Sequence, residues 1–238
     1  MLGRFLEISL ATDDIAASVG FYEQLGFRHL SCADSWHWPY CALSDGRLTL
    51  GLHRYDAPRC TLSFVRPGLI DAMQALDFSG FVPHQSQLGF EDFHLMELRD
   101  PGGQELRLLE ARTCSPDSEG YRESGCGYFA AVSIPAADPD ASSDYWGRAG
   151  FISHEAENLP YPHRLLTSDL LNLRLHQPAS LANPALVFTA PDMQQCLARL
   201  RALQLPTAPR LPFALNSRSN ALLLAPEGTQ LLLLESDY

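Results

Sequence analysis

An internal duplication is the feature that most constrains the fold of this chain. Residues 21–27 align with residues 145–151 at an offset of 124 positions. Near the end of each half, residues 100–103 align with residues 225–228 at an offset of 125. A nearly constant offset along 238 residues indicates that each half is a copy of one folding unit.

Hydrophobic periodicity divides each half again. Residues 6–10 alternate apolar and polar side chains with the period of two that is typical of a half-buried strand. Asp14 then precedes a helical pattern that stops at Gly26, and strand-like segments follow. The same order begins again near residues 61, 130 and 185, so the sequence predicts four βαβββ modules.

These modules resemble the vicinal oxygen chelate superfamily, which contains glyoxalases, bleomycin-resistance proteins and extradiol dioxygenases. The resemblance rests on the Phe-Tyr-x-x-Leu-Gly-Phe end of the first helix and on an Asp-Pro-x-Gly turn before the last strand of the first half. It implies an α+β fold in which the four modules pair into two curled mixed sheets with helices on the outer face. Each sheet then forms a cup whose concave wall holds the site.

The predicted boundaries follow from the duplication. Residues 1–112 and 127–238 form two glyoxalase-like domains, and residues 113–126, rich in Ser, Gly and acidic side chains, form a linker. Since one chain carries all four modules, it can complete both cups as a monomer, and a homodimer is equally compatible with the sequence.

Composition narrows the expected partners. The formal net charge of −11 leaves no basic stripe for phosphates, which argues against nucleic acid and anionic membranes as partners. The chain contains no lysine, so Schiff-base chemistry and a phosphate-loop lysine are excluded. Without a signal-peptide pattern or a membrane-spanning run, we expect a cytoplasmic protein whose partner is a small molecule.

The resemblance also implies where metal ligands would stand, namely on the first strand of each module and on the last strand. The corresponding positions hold Glu7, Thr61 and Arg107 in the first half and Ala131, Ala185 and Leu232 in the second. One carboxylate cannot hold a divalent ion by itself, and arginine repels one. We therefore expect no metal and no cofactor. A divalent metal is expected only for an enzyme with displaced ligands, such as Glu7 with His53 or Glu105.

Strand alternation predicts which side chains face the cups, because every second residue of a strand points the same way. The candidate ligand-binding residues of the first half are Glu7, Thr49, His53, Thr61 and Arg107, joined by Trp36 and Trp38 from an aromatic cluster. Those of the second half are Asn172, Arg174 and His176. Glu7 is also the candidate catalytic residue, as a general base.

Several of these residues also have a purely structural explanation. Glu7 and Arg107 are equally well explained as a buried ion pair that replaces the old metal site. His53 and His176 are better explained as satisfied histidines at strand ends. The two tryptophans suit core packing as well as a stacking platform.

Three functions therefore compete, and the sequence does not decide whether the chain is an enzyme. The favoured prediction is a glyoxalase- or bleomycin-resistance-like protein that binds a small organic molecule in a cup. The alternative is a metal-dependent lyase, isomerase or dioxygenase of the same superfamily. In the third, structural, role the cups are filled by their own side chains, for which Trp36, Trp38, Phe90 and Phe93 are large enough.

Overall fold

The computed structural model of the protein describes residues 2–31, 39–55, 60–90, 93–110, 124–169, 171–208 and 210–236. The first half contains strands β1 (Arg4–Ala11), β2 (Arg28–His29), β3 (Tyr40–Ser44), β4 (Thr49–His53), β5 (Cys60–Val65), β6 (Gln85–Gln87), β7 (Leu95–Arg99) and β8 (Glu105–Leu109), with helices α1 (Ile15–Gln24) and α2 (Leu69–Phe78). The second half contains strands β9 (Tyr128–Pro135), β10 (Ile152–Glu157), β11 (His163–Thr167), β12 (Leu173–His176), β13 (Ala185–Ala190), β14 (Ala221–Leu224) and β15 (Gln230–Glu235), with helices α3 (Pro139–Ala149) and α4 (Met193–Ala202). The predicted α+β class is confirmed.

The two sheets repeat one topology. The first has the order β2-β3-β4-β1-β5-β8-β7-β6, and the second has the order β10-β11-β12-β9-β13-β15-β14. In each sheet the first strands of the two modules pair antiparallel at the centre, as β1 with β5 and β9 with β13. Each of them also pairs in parallel with a later strand of its own module. This arrangement confirms that the halves are copies of one unit.

The sheets differ at one edge. In the second sheet, residues 206–208 bond to β14 through an isolated bridge between Thr207 and Leu223 rather than through a strand. This irregular segment takes the place that β6 holds beside β7 in the first sheet. The second sheet therefore has seven strands where the first has eight.

Local sequence signals explain where the helices begin and end. The side chain of Asp14 accepts a hydrogen bond from the backbone N–H of Ala17 and caps α1. Asp138 caps α3 in the same way, with Pro139 at the first helical position. Gly26 and Gly150 follow these helices with left-handed φ values of 95° and 105°, which a residue with a Cβ adopts only at a cost.

One hydrophobic core runs through both halves. It lies between the helices and the leucines on the helix-covered side of the sheets. Phe27 of the first half contacts Phe188 of the second, with ring centroids 6.4 Å apart. Met193 and Leu197 of α4 are buried in it, as the helical pattern predicts. The apolar helical pattern after Pro67 likewise predicts that Met73 is buried, and this prediction is wrong, because 42% of Met73 is exposed on α2.

The halves also exchange polar contacts with the symmetry of the duplication. The carboxylate of Asp100, in the last turn of the first half, accepts a hydrogen bond from Trp146 Nε1 of α3 at 2.9 Å. Glu227, in the last turn of the second half, accepts one from Tyr22 Oη of α1 at 2.6 Å. Each terminal turn is thus anchored on the first helix of the other half, and the two sheets are held together as one body.

Part of the predicted linker belongs to this body. Residues 111–123 lie outside the described residues, and at 124–126 the backbone N–H of Gly125 donates to Leu25 O at 2.7 Å while Cys126 is fully buried. The domain boundaries themselves stay a prediction. Within the described ranges, none of the helices combines the length and the apolarity that crossing a bilayer requires.

Candidate functional site

The first cup is the face of the eight-stranded sheet that lies opposite α1 and α2. On β1, β4, β5 and β8 the leucine and isoleucine side chains point into the helix-covered core, so their alternate neighbours lie on the cup face. The predicted residues on this face are Glu7, Thr49, His53, Thr61 and Arg107. Sheet register aligns Glu7 with Ser63, Ser63 with Arg107, and Arg107 with Glu97 in one row.

The carboxylate of Glu7 lies at the centre of a buried hydrogen-bond network. Its Oε1 accepts hydrogen bonds from Ser9 Oγ and from His53 Nε2, both at 2.7 Å. Its Oε2 accepts one from Tyr40 Oη at 2.6 Å. Ser63 Oγ lies 2.7 Å from Ser9 Oγ and extends the network to β5. Glu7 is 1% exposed and His53 is 0% exposed, so this pair is removed from bulk water.

Strand alternation places Gly51 on the cup face but does not predict its contact with Glu7, and Tyr40 is missing from the predicted site residues. A Cβ atom added at Gly51 would lie 2.1 Å from Glu7 Oε1, so only glycine leaves room for the carboxylate. An isolated glycine inside a strand pattern is the sequence signal that marks such a close approach. Tyr40 carries no comparable signal, because its position opposite His53 depends on the register of β3 with β4.

The network keeps Glu7 ionised. Burial acts to raise the pKa of Glu7, but hydrogen bonds from His53, Tyr40 and Ser9 outweigh burial and lower the pKa below its ordinary value of 4.5. A carboxylate whose pKa is lowered and whose oxygens already accept three hydrogen bonds is a weak proton acceptor. Glu7 is therefore better suited to orienting His53 and Tyr40 than to the predicted role of general base.

Arg107 forms a second cluster beside the first. Its Nε and Nη2 donate to Glu97 Oε1 at 3.1 and 2.7 Å, and the guanidinium lies 4.9 Å from the centre of the Tyr55 ring. The alternative of a Glu7–Arg107 ion pair is thus wrong, since each residue has other partners. Burial acts to lower the pKa of Arg107, but Tyr55 and Glu97 outweigh it and raise the pKa, so the side chain stays cationic.

Two buried polar atoms of this cup have no hydrogen-bond partner among the described residues. They are Arg107 Nη1 and Thr61 Oγ1, on residues that are 3% and 2% exposed. Both residues belong to the adjacent parallel strands β5 and β8 and face the cup. A buried donor without an acceptor costs about 1–3 kcal/mol, so an acceptor oxygen placed beside these two atoms would be favoured.

The second cup is the corresponding face of the seven-stranded sheet, and its centre is apolar. Ala131 stands at the position of Glu7, Val187 at that of Ser63 and Leu232 at that of Arg107. The Tyr161 ring stacks on Phe213 with centroids 4.2 Å apart. The side chains that close this cup form one hydrophobic cluster, made of Tyr161, Leu181, Ala185, Val187, Leu222, Leu232 and Leu234 with Leu211, Phe213 and Leu215 against it.

A short polar chain crosses the second cup. Tyr161 Oη donates to Ser133 Oγ at 2.9 Å, Ser133 Oγ donates to His176 Nδ1 at 2.8 Å, and His176 Nε2 donates to the Leu181 carbonyl at 2.8 Å. Burial lowers the pKa of His176, and also that of His163, so both stay neutral near pH 7. His176 is therefore a satisfied strand-end histidine, whereas His53 Nε2 donates a hydrogen bond to the Glu7 carboxylate.

The remaining predicted residues are placed as follows. Asn172 Nδ2 donates to the Ala130 carbonyl at 3.3 Å, and Arg174 lies over the Tyr161 ring with its Nε and Nη1 unpartnered among the described residues. Trp36 and Trp38 lie outside the described residues. Phe90 and Phe93 are 102% and 42% exposed, so these two do not plug a cup.

The residues at the superfamily's ligand positions do not fit a divalent metal. In the first cup Glu7 is saturated by three donors, Thr61 offers only a hydroxyl, and Arg107 places a cation where the ion would sit. In the second cup the three positions hold two alanines and a leucine. Across the described part of the chain, no group of three or more His, Cys, Asp or Glu residues is arranged to hold an ion.

Solved structures show the same fold. A catechol 2,3-dioxygenase superposes with a TM-score of 0.61 at 11% identity, covering 97% of this chain and 87% of that one. Homoprotocatechuate 2,3-dioxygenase from Brevibacterium fuscum, as an E323L mutant, gives 0.64 at 16% identity over 100% and 72% of the two chains. A 4-hydroxymandelate synthase mutant from Streptomyces coelicolor gives 0.61 at 13% identity over 99% and 94%. No protein-family model matches the sequence, and no curated protein does.

These similarities contradict one prediction. The sequence predicted no cofactor, whereas the structural neighbours are extradiol dioxygenases that use a divalent metal such as iron. The prediction placed too much weight on the loss of ligands and too little on the chemistry for which the fold is used. The mismatch between that chemistry and the side chains at the ligand positions is a property of this chain.

Proposed function

The chain has the fold of the vicinal oxygen chelate superfamily, as the resemblance implies, and on that premise we propose that its first cup binds a small organic molecule carrying an acceptor oxygen. The observation that supports this proposal is the pair of unpartnered buried donors, Arg107 Nη1 and Thr61 Oγ1, on one face of two adjacent strands. A carboxylate or phenolate oxygen would satisfy both donors and would lie next to a guanidinium that stays charged.

The second cup is less suited to this role, although Arg174 Nε and Nη1 are also unpartnered there among the described residues. Its cup face is covered by a buried hydrophobic cluster, and its histidines are neutral and hydrogen-bonded within the chain. Binding of a polar ligand there would require displacing the stacked Tyr161–Phe213 pair. The first cup keeps its ionised groups, and Glu7 would act by holding His53 and Tyr40 in fixed orientations beside the ligand.

A second candidate function is a metal-dependent lyase, isomerase or dioxygenase. The similarity to extradiol dioxygenases favours it, although likeness at 11–16% identity carries the fold alone. This candidate requires a displaced ligand set, such as Glu7 with His53 or Glu105, because Thr61 and Arg107 cannot complete the site at the superfamily positions. The comparisons do not extend to glyoxalase activity or to drug resistance.

A thermal-shift screen tests the binding proposal. Aryl acids and catechols, including catechol and homoprotocatechuate, should stabilise the protein, because a ligand at 100 times its dissociation constant adds roughly 2.7 kcal/mol. Thr61→Val removes the unpartnered hydroxyl at little cost to folding and should weaken binding about 5- to 30-fold. Thr189→Val, at a buried threonine of the second half, is the matched control and should leave binding unchanged.

Two results would count against the proposal. The first is that no aryl acid or catechol stabilises the protein. The second is that Thr61→Val and Thr189→Val weaken the binding of a stabilising ligand equally. Metal quantification on the same purified protein, with oxygen uptake measured in the presence of catechol, addresses the second candidate. Stoichiometric metal together with catechol-dependent oxygen uptake would establish the enzyme instead. Whether the chain is a monomer or a homodimer, and whether it avoids nucleic acid and membranes, stay predictions.

A further inference from the structure

A cavity of about 580 Å³ lies between α4, β14 and residues 204–208 and 210–217, and it shares Leu211, Leu215 and Leu222 with the cluster that closes the second cup. Its volume falls within the range of small-molecule sites, roughly 300–1,000 Å³. Leu197 and Leu200 of α4 form one wall, and Ala221 of β14 forms another. Residues 204–208 and 210–217 supply most of the remaining lining.

The lining combines apolar side chains with positive charge. Six leucines line the cavity besides Leu197, and among the lining residues that the structure describes none is acidic. Arg201 and Arg210 supply two guanidinium groups at exposed positions. Neither makes an ion pair with a described residue. In a chain with 28 acidic and 17 basic residues, a cavity with two arginines and no carboxylate is locally selective for anions.

The wall formed by residues 204–208 and 210–217 contains three residues in an unusual backbone conformation. Gln204, Phe213 and Ala214 have left-handed φ values of 54°, 57° and 56°. Such a conformation costs a residue with a side chain about 1–3 kcal/mol, so it persists only where neighbouring contacts impose it. The stacking of Phe213 on Tyr161 is one such contact, and it holds the wall from the side of the second cup. The cavity is therefore shaped in advance of any ligand.

We propose that this cavity binds a small amphipathic anion, namely a medium-length alkyl or aryl carboxylate. Its apolar body would lie against the leucines, and its carboxylate would lie between Arg201 and Arg210. Arginine pairs well with carboxylates because its planar guanidinium group donates two parallel hydrogen bonds. This site is separate from the first cup, so it stands whether or not the proposed function holds.

The probes that test the site are octanoate and 1-octanol, which have the same chain length and differ in charge. Isothermal titration of the full chain should show one octanoate per molecule and binding of 1-octanol weaker by about tenfold or more. The double variant R201Q/R210Q should lose at least about tenfold in octanoate affinity, since both cations are removed. R28Q, a neutralised arginine exposed on β2 of the first half, should leave octanoate affinity unchanged.

A cavity-filling variant separates this site from non-specific binding. Ala221→Leu adds volume at the cavity wall and should abolish octanoate binding while circular dichroism stays native. Equal affinity for octanoate and 1-octanol, equal losses in R28Q and R201Q/R210Q, or full binding in Ala221→Leu would overturn the proposal. So would sedimentation showing a concentration-dependent dimer that Ala221→Leu dissociates, because a second copy of the chain would then be the occupant.

Discussion

The two cups share one backbone and differ in what their central strands carry. In the first cup Glu7 lies against Gly51, and in the second cup Ala131 lies on β9 where the residue equivalent to Gly51 is Arg174. The first arrangement places a buried carboxylate against a residue without a side chain, and the second contains neither the carboxylate nor the glycine.

The hydrogen-bond partners of the matching histidines also differ between the cups. His53 bonds to a carboxylate in the first cup, whereas His176 bonds to a hydroxyl and a carbonyl in the second. Each cup holds two unpartnered donors among the described residues, but those of the first cup lie on two adjacent strands, whereas those of the second belong to Arg174 alone in a cup closed by apolar side chains. The comparison teaches that a duplicated sheet can keep its register while one copy stays polar enough for a ligand and the other becomes part of the core.

The largest expected effect comes from removing the buried anion. Glu7→Ala gives the first cup the residue found in the second, but it leaves Ser9, His53 and Tyr40 without their acceptor. We expect a loss of about 3–5 kcal/mol in the free energy of unfolding, measured with urea. Glu23→Ala removes an exposed Glu–His pair of the same half and should cost less than about 1 kcal/mol. Comparable losses in the two variants would show that the first cup does not depend on its network.

A smaller effect is expected from crowding the same carboxylate. Gly51→Ala places a Cβ 2.1 Å from Glu7 Oε1, and we expect destabilisation by about 1–3 kcal/mol in the same urea experiment. Gly20→Ala makes the identical change on α1, where nothing lies within 4 Å of the added atom, and should stabilise by about 0.4–1 kcal/mol. If both variants gained stability, the close approach of Gly51 and Glu7 would be disproved.

The smallest expected effect is a difference between the two cups in the pH range over which each loses stability. Burial lowers the pKa values of His163 and His176, so the unfolded chain binds protons more readily, and stability falls as pH drops below their ordinary pKa of 6.5. The lowered pKa of Glu7 has the same sign, but its contribution is lost only as pH falls below 4.5. In urea titrations, His176→Asn should reduce the loss between pH 7.5 and 5.5, and Glu7→Gln should reduce the loss below 4.5. The assignment would be rejected if His176→Asn changed the stability only below pH 4.5, or if Glu7→Gln changed it only between pH 7.5 and 5.5.

Much of the fold could be predicted from periodicity. The duplication, the helix starts at Asp14 and Asp138, and the alternation of β4 all express local preferences that each segment carries by itself. The exposure of Met73 could not be predicted, because a helix of ten residues buries only the face that its neighbours cover. The pairing of Arg107 with Glu97 rather than with Glu7 could not be predicted either. It depends on strand order, because Glu97 lies on the strand next to Arg107 and Glu7 lies two strands away.

The sequence by itself determined the repeated βαβββ pattern and the face on which most of the polar strand residues lie. Only the tertiary structure decided which polar residues are partners, which cup is closed, and where the cavity beside α4 lies. The physical reason is the distance along the chain over which each kind of interaction acts. Strand and helix patterns depend on neighbours a few residues apart, whereas a hydrogen bond between Glu7 and His53 joins residues 46 positions apart in the chain and requires an atomic fit that only packing provides.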